Sequence, residues 1–236
     1  MNAYSQAAWA MKPRQGIRKL NTIRAVTREE KELKWCYLGF MYDHLANPHW
    51  PGIRREMEAA ARHAYRQALR LNPDCTTAMI GLGRILVNRE DVRALKWYRK
   101  AFQVDPGAPK VEFSLAYACS RLGQWKEAMD RFKRLRRHKA LGFACVFNLA
   151  QLHARRGKKK RAQHYAKIAL KLFPSLPKQE RKSKGGIAFK AAITDLAHLR
   201  EQRSIKMGQD GSLSMRVKAL TFTFDLFQAN KWVRWG

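Results

Sequence analysis

The chain has 236 residues, 46% of them hydrophobic, and carries 48 Lys+Arg against 18 Asp+Glu for a net charge of +30. That length and apolar content support a buried core and exclude a chain that is disordered throughout. A compact protein with such a field repels itself unless polyanions neutralise it, so nucleic acid is the first partner to consider and an anionic membrane surface the second.

The first 28 residues hold six cations (Lys12, Arg14, Arg18, Lys19, Arg24, Arg28), no acid, and the interleaved run Ala7, Ala8, Trp9, Ala10. Two readings fit residues 1–30: a mitochondrial or plastid targeting segment, or a flexible basic arm. We expect no secretory signal peptide. No apolar run approaches the ~18 residues of a membrane span, so no transmembrane segment is expected.

From residue 31 the chain is periodic. Ala61, Ala94, Ala128 and Ala162 recur at spacings of 33, 34 and 34. Four residues beyond them stand Tyr65, Tyr98, Phe132 and Ala166; seven beyond stand Ala68, Ala101, Leu135 and Ala169. Offsets of 0, 4 and 7 mark one helical face. The small residue admits a neighbouring helix and the bulky one fills the gap. Pro73, Pro106 and Pro174, twelve residues past three of the alanines, stop the helix. A second helix precedes each: "WCYLGFMY", "MIGLGRIL", "EFSLAYAC" and "VFNLAQLH". In these, Gly39, Gly83, Ala116 and Ala150 are small residues placed where two helices cross.

Trp35, Leu38, Gly39 and Tyr42 match in full the W-x2-L-G-x2-Y pattern of the tetratricopeptide repeat family, and the A-x3-F-x2-A and P positions follow in register. From Trp35 to Pro174 the chain resembles that family in four successive repeats. The resemblance implies an all-α, right-handed superhelical array of helix pairs over residues 31–174. Three departures stand out. About ten extra residues, around "ANPHWPGIRR", separate the helices of the first repeat; the second is one residue short; the third ends on His138 to Leu141 without a proline. A basic linker over 175–186 and a C-terminal helical cap with an aromatic tail over 187–236 complete the expected organisation. In the cap, Ile187, Ala191, Leu196 and Leu199 form the expected stripe, since such arrays need a capped end. Beyond it, Leu213, Val217, Leu220, Phe224 and Phe227 step at helical spacing, while "LTFTF" also alternates as a strand would.

Catalysis finds no motif: there is no HExxH, GxSxG, Walker loop or dinucleotide fingerprint. No enzyme activity, cofactor or small-molecule substrate is expected. Cys36, Cys75, Cys119 and Cys145 show no CxxC pairing and read as reduced thiols, and the seven histidines lack partners at ligand spacing, so no metal is expected. The "GLG" at 81–83 reads as a helix crossing rather than a phosphate loop. Of the carboxylate clamp that family members use on peptide tails, only Lys110 fits; Cys36, Phe40 and Gly81 occupy the other positions. That mode is discounted.

The charge is concentrated. Residues 131–184 hold 18 Lys+Arg and one acid, Glu180. Three clusters stand out: Arg134, Arg136, Arg137 and Lys139; Arg155, Arg156, Lys158, Lys159, Lys160 and Arg161 around Gly157; Lys178, Arg181, Lys182 and Lys184. Solvated turns explain two or three lysines, not this excess. Arg and Lys release counterions when they neutralise a phosphate backbone. The residues of these clusters are the expected RNA contacts, and Trp232 and Trp235, which sit beside Lys231 and Arg234, are the expected docking residues for protein or RNA. In the family's arrangement the 155–161 turn lies inside a repeat and the other two clusters follow outer helices, which puts charge on both edges. A protein wedged among several RNA segments needs that. The expectation is a structural, rRNA-contacting component of a mitochondrial ribosome, with neighbouring ribosomal proteins as partners and no homo-oligomer; plastid and cytoplasm are the alternative locations. Two further readings are an adaptor or assembly factor holding a peptide in its groove, and an RNA-processing or translation factor.

Overall fold

The computed structural model describes residues 13–46 and 51–198, apart from the side chains of residues 51, 52, 180 and 184. Among these residues there are helices and turns and no strand. The chain divides into two compact units, Met1–Ala128 and Met129–Trp235.

In the first unit, α1 (Pro13–Thr22) falls within the segment expected as arm or targeting sequence. It starts on a proline, whose fixed φ suits a first helical turn. Its Leu20 is fully buried with Leu38, Met41 and Ala64, while Arg14, Arg18 and Lys19 are exposed. α2 (Arg28–Leu45) opens on a capping box. The Thr27 hydroxyl accepts from the Glu30 N–H at 3.1 Å, and Glu30 Oε2 accepts from the Thr27 N–H at 3.2 Å. Two otherwise orphaned donors are thereby satisfied, a device worth about 0.5–2 kcal/mol.

α3 (Pro51–Leu71) runs 21 residues. The extra residues of the first repeat thus lengthen its second helix rather than forming only a loop. α4 (Thr76–Val87) and α5 (Ala94–Val104) are the second pair, and α6 (Pro109–Arg121) is the first helix of the third pair. α7 (Trp125–Leu135), which spans the boundary between the units, follows as the second helix of that pair in sequence.

The small residues sit where close approach requires them. The Tyr65 ring of α3 lies between Gly39 of α2 and Gly81 of α4. A Cβ on Gly39 would lie 2.6 Å from Tyr65 Cε1, and one on Gly81 would overlap the ring. A Cβ on Gly83 would lie 2.7 Å from Tyr98 Cε2, in the next pair. The "GLG" run is therefore a double helix crossing. The missing residue of the second repeat is lost from the α4–α5 turn, and there Glu90 adopts φ 56. The later repeats use Gly123 (φ 79) and Gly157 (φ 68) in their corresponding turns.

In the second unit, α8 (Gly142–Arg155) and α9 (Lys159–Leu172) form the fourth pair. A 3-10 turn (Phe173–Ser175), the short α10 (Lys178–Arg181) and α11 (Lys184–Ala197) follow. α11 packs on the fourth pair, and of the expected stripe Leu196 joins that core while Ile187 and Ala191 do not. Ile193 and Ala197 are buried among Val146, Phe147, Ala150, Ala166 and Ala169, with Phe189 edge-on to Phe147 at 5.0 Å. Ile187 is 61% exposed and Ala191 is exposed too. The inward positions 186, 189, 193 and 197 lie on the face roughly opposite Ile187 and Ala191, and the Phe189 ring packs on that inward face. Leu199, and the segment from Leu213 expected as helix or strand, lie outside the described residues.

Candidate nucleic-acid interface

The α8–α9 pair is a hairpin whose turn is closed by main-chain hydrogen bonds. The Arg156 N–H donates to Leu152 O at 3.2 Å, Gly157 N–H to Ala154 O at 2.9 Å, and Lys158 N–H to His153 O at 2.9 Å. Gly157 supplies the left-handed residue and has nothing within 4 Å of where a Cβ would stand. Arg155, Arg156, Lys158, Lys160 and Arg161 are exposed and Lys159 is half-buried.

This run breaks a local rule. The first turn of α9 contains no acid, and its N-cap Lys158 makes no side-chain cap hydrogen bond. Lys159, Lys160 and Arg161 stand instead at the positive end of the helix dipole, where each like charge costs about 0.3–1 kcal/mol. A sequence chosen for folding alone would put Ser, Asp or Glu here. An anion bound at this turn would offset the penalty.

The other two clusters lie at the opposite end of the hairpin, because α8 begins and α9 ends there. At about 1.5 Å per residue, a 14-residue helix separates the two ends by roughly 20 Å. Arg134, Arg136, Arg137 and Lys139 are exposed around the α7–α8 connection. His138 organises that connection: its carbonyl accepts from Gly142 N–H at 2.7 Å and Leu141 N–H at 3.2 Å, in place of the missing proline. Gly142 is required, since a Cβ there would lie 2.6 Å from Arg136 O. After α9, Lys178 and Lys182 are exposed. Arg181 is half-buried and donates Nε–H to Leu176 O at 3.0 Å, so part of its donor set serves the local fold. The side chain of Lys184 and all of Trp232 and Trp235 lie outside the described residues.

His153 reports the field at the turn. It is buried, and its ring stacks on Tyr165 at 5.4 Å with an interplanar angle of 6°. Burial first, then Arg161, Lys158, Lys133 and Arg156, hold its pKa below the ordinary histidine value. Four cations converge on one neutral imidazole.

The first unit uses charge differently. Arg84 is 3% exposed, ion-paired with Asp43, bonded through Nη2 to Tyr65 Oη at 3.2 Å, and 5.5 Å from the centre of the Phe40 ring. Glu58, also 3% exposed, accepts from Arg89 and from Arg54 Nε at 3.0 Å. These pairs were not foreseen. The available signal was Arg84 itself, an arginine inside the apolar run "MIGLGRIL". A further group, Glu32 with Cys36 and Cys75, brings three ligand atoms within 4.8 Å of one another. No spacing rule finds it, because Cys36 and Cys75 are 39 residues apart. Lys110, the one match to the carboxylate clamp, is half-buried, and burial lowers its pKa.

Comparison with known proteins agrees with the helix pairs. A family model described as tetratricopeptide repeat matches residues 53–175. Seven chains of solved structures match. One of them, PilF of Pseudomonas aeruginosa, is 18% identical with a TM-score of 0.54, over 75% of this chain and 80% of that one. At that identity the likeness is one of fold. Among curated proteins no match is found. No helix of the described residues is long and apolar enough to cross a membrane.

Proposed function

We infer the function from one premise: the chain belongs to the tetratricopeptide repeat family. It is an all-α helical-repeat protein of a kind that binds other proteins and generally acts as a scaffold rather than an enzyme. We propose further that it is a structural component of a large ribonucleoprotein, a mitochondrial ribosome, in which the 129–198 region grips RNA phosphates while the repeats meet protein neighbours. The observation that carries this is the exposed cation excess at both ends of the α8–α9 hairpin, placed at one end against the helix dipole. Phosphate binding is the chemistry favoured there. The α8–α9 turn has cations without the amides or aromatics that read base edges, so it positions rather than specifies. The basic composition of the first 28 residues supports the organelle.

The peptide-binding adaptor remains the competing reading, favoured by family membership itself. Salt dependence of binding separates the two. For the full chain and unrelated RNA sequences, log affinity should fall linearly with log salt. Replacing Lys158, Lys159 and Lys160 by Gln should flatten that slope by about 0.7–0.9 for each phosphate that is no longer neutralised, equally for every sequence. Co-sedimentation with ribosomes that survives a high-salt wash would support the particle. An unchanged slope, with the protein recovered only on soluble partners, would leave the adaptor.

A further inference from the structure

At the first repeat, two thiols that belong to the hydrophobic core meet a carboxylate in a donor set the basic surface does not use. Glu32 and Cys36 lie four apart on α2 and so share a face. Cys75 precedes α4 as its N-cap and makes no side-chain cap hydrogen bond. Its Sγ lies 3.4 Å from Cys36 Sγ, and a Glu32 carboxylate oxygen completes a triangle with all atoms within 4.8 Å of one another. Cys36 is 6% and Cys75 5% exposed, and Glu32 is half-buried, so the carboxylate forms the side that reaches solvent. Asn72, in the α3–α4 turn, donates Nδ2–H to Glu32 Oε2 at 3.0 Å and fixes the carboxylate's orientation. The Cys75 N–H in turn donates to Asn72 O at 3.1 Å.

We propose that Glu32, Cys36 and Cys75 form a binding site for a thiophilic divalent cation, zinc in the first place, with Asn72 as the positioning residue. The dimensions fit. Zinc–sulfur bonds of about 2.3 Å in a tetrahedron put two sulfurs about 3.8 Å apart, within a few tenths of the spacing found. Two thiolates exclude the hard cations, magnesium and calcium, which take oxygen ligands. A carboxylate held by an amide is the usual outer support of a metal ligand. Without a cation the two thiols share a hydrogen bond. The hydrogen bond with Cys75, burial and the Glu32 charge hold the Cys36 thiol well above its ordinary pKa. Binding converts two thiols and one carboxylate to two thiolates and one carboxylate on the metal and releases two protons, so affinity falls steeply as pH drops. The site ties α2 to the α3–α4 turn, where Arg28 Nε–H already donates to Leu71 O at 2.6 Å. Its role is to brace the first repeat, and it does not depend on the RNA reading.

The test uses the untagged full-length chain, reduced and stripped of metal, titrated with Co2+ and then Zn2+. One equivalent of Co2+ should bind with tetrahedral ligand-field and thiolate-to-cobalt absorption. Zn2+ should displace it, release two protons and raise the Tm. Cys36→Ser and Cys75→Ser should lose the thiolate absorption and the Tm response. Glu32→Gln should keep the absorption at lower affinity, and Asn72→Ala should weaken binding by about 10–100-fold. Cys145→Ser, a buried cysteine of the other unit, should behave as wild type. Circular dichroism confirms that each variant is helical. If Cys36→Ser or Cys75→Ser does not fold, the Glu32→Gln and Asn72→Ala affinities decide. No thiolate absorption in the folded wild type overturns the site, as do wild-type affinities in both Glu32→Gln and Asn72→Ala. A Cys36–Cys75 disulfide in the isolated chain also overturns it and makes the pair a redox bond.

Discussion

Residues 1–128 carry 22 Lys+Arg against 12 Asp+Glu, and residues 129–236 carry 26 against 6. The two units use those charges in opposite ways. The first buries Arg84 with Asp43 and Glu58 under Arg54 and Arg89, and pairs Arg99 with Glu127 at its surface at 3.2 Å. The second packs its interior with alanines, leucines, aromatic rings, Asn148 and His153, and gathers most of its exposed cations near helix ends. In the first unit charge is part of the fold. In the second, the cations at the first turn of α9 oppose the helix dipole, while Arg181 serves the local fold through Leu176 O. The same repeat pattern therefore carries buried ion pairs in one unit and a dense exposed cation cluster in the other.

The sharpest way to break this contrast is to unpair a buried charge. Asp43→Ala strands Arg84 and should destabilise the first unit by about 3–5 kcal/mol in denaturant unfolding, whereas replacing both partners, Asp43→Leu with Arg84→Met, should recover much of that. Replacing Lys158, Lys159 and Lys160 by Gln should cost the second unit no stability and should slightly raise it, because the dipole penalty is relieved. A destabilised triple variant would mean the cations serve the fold.

Overpacking should hurt the second unit next most. Ala150 is fully buried in the α8–α9–α11 core. Ala150→Leu should cost roughly 1–3 kcal/mol, seen as an earlier unfolding midpoint.

Acid should weaken the second unit through His153. Its folded pKa is below the unfolded value of about 6.5, so the unfolded chain takes up its proton first. The histidine's contribution is fully present above about pH 6.5 and is lost as pH falls from there through the folded pKa. His153→Phe keeps the stacking on Tyr165 and should flatten stability between about pH 7 and 5. Phosphate bound at the 155–161 turn should raise the His153 pKa, which NMR titration would read directly.

The smallest effect concerns the shortened α4–α5 turn. Glu90 carries the left-handed penalty that Gly123 and Gly157 avoid. Glu90→Gly should stabilise the first unit by up to about 1 kcal/mol, the strain relieved exceeding the added chain entropy. A destabilised variant would show that the Glu90 side chain compensates for its strain.

The pattern of small and large residues was legible because it is local and periodic. Ala61, Ala94, Ala128 and Ala162, each fully buried, announce helix pairs wherever they stand in the chain. Gly39 and Gly83 likewise announce crossings, since only hydrogen fits beside a tyrosine ring. The basic turn was legible for the same reason: six cations around Gly157 are adjacent in sequence. The capping box at Thr27 and Glu30 was equally local and went unread.

What periodicity could not supply was any pairing across the chain. Asp43 with Arg84, Glu58 with Arg89, and Cys36 with Cys75 join residues 31 to 41 positions apart, and nothing in one-dimensional spacing selects them. The face that α11 turns inward was misjudged because Ile187 looks like a core residue until the Phe189 ring, packed on Phe143 and Phe147, fixes the rotation. Helix identity follows from short-range composition and period, which are properties of the chain. Which charges are buried, which thiols meet and which helical stripe faces the core follow from packing, which exists only once distant segments share the same few ångströms.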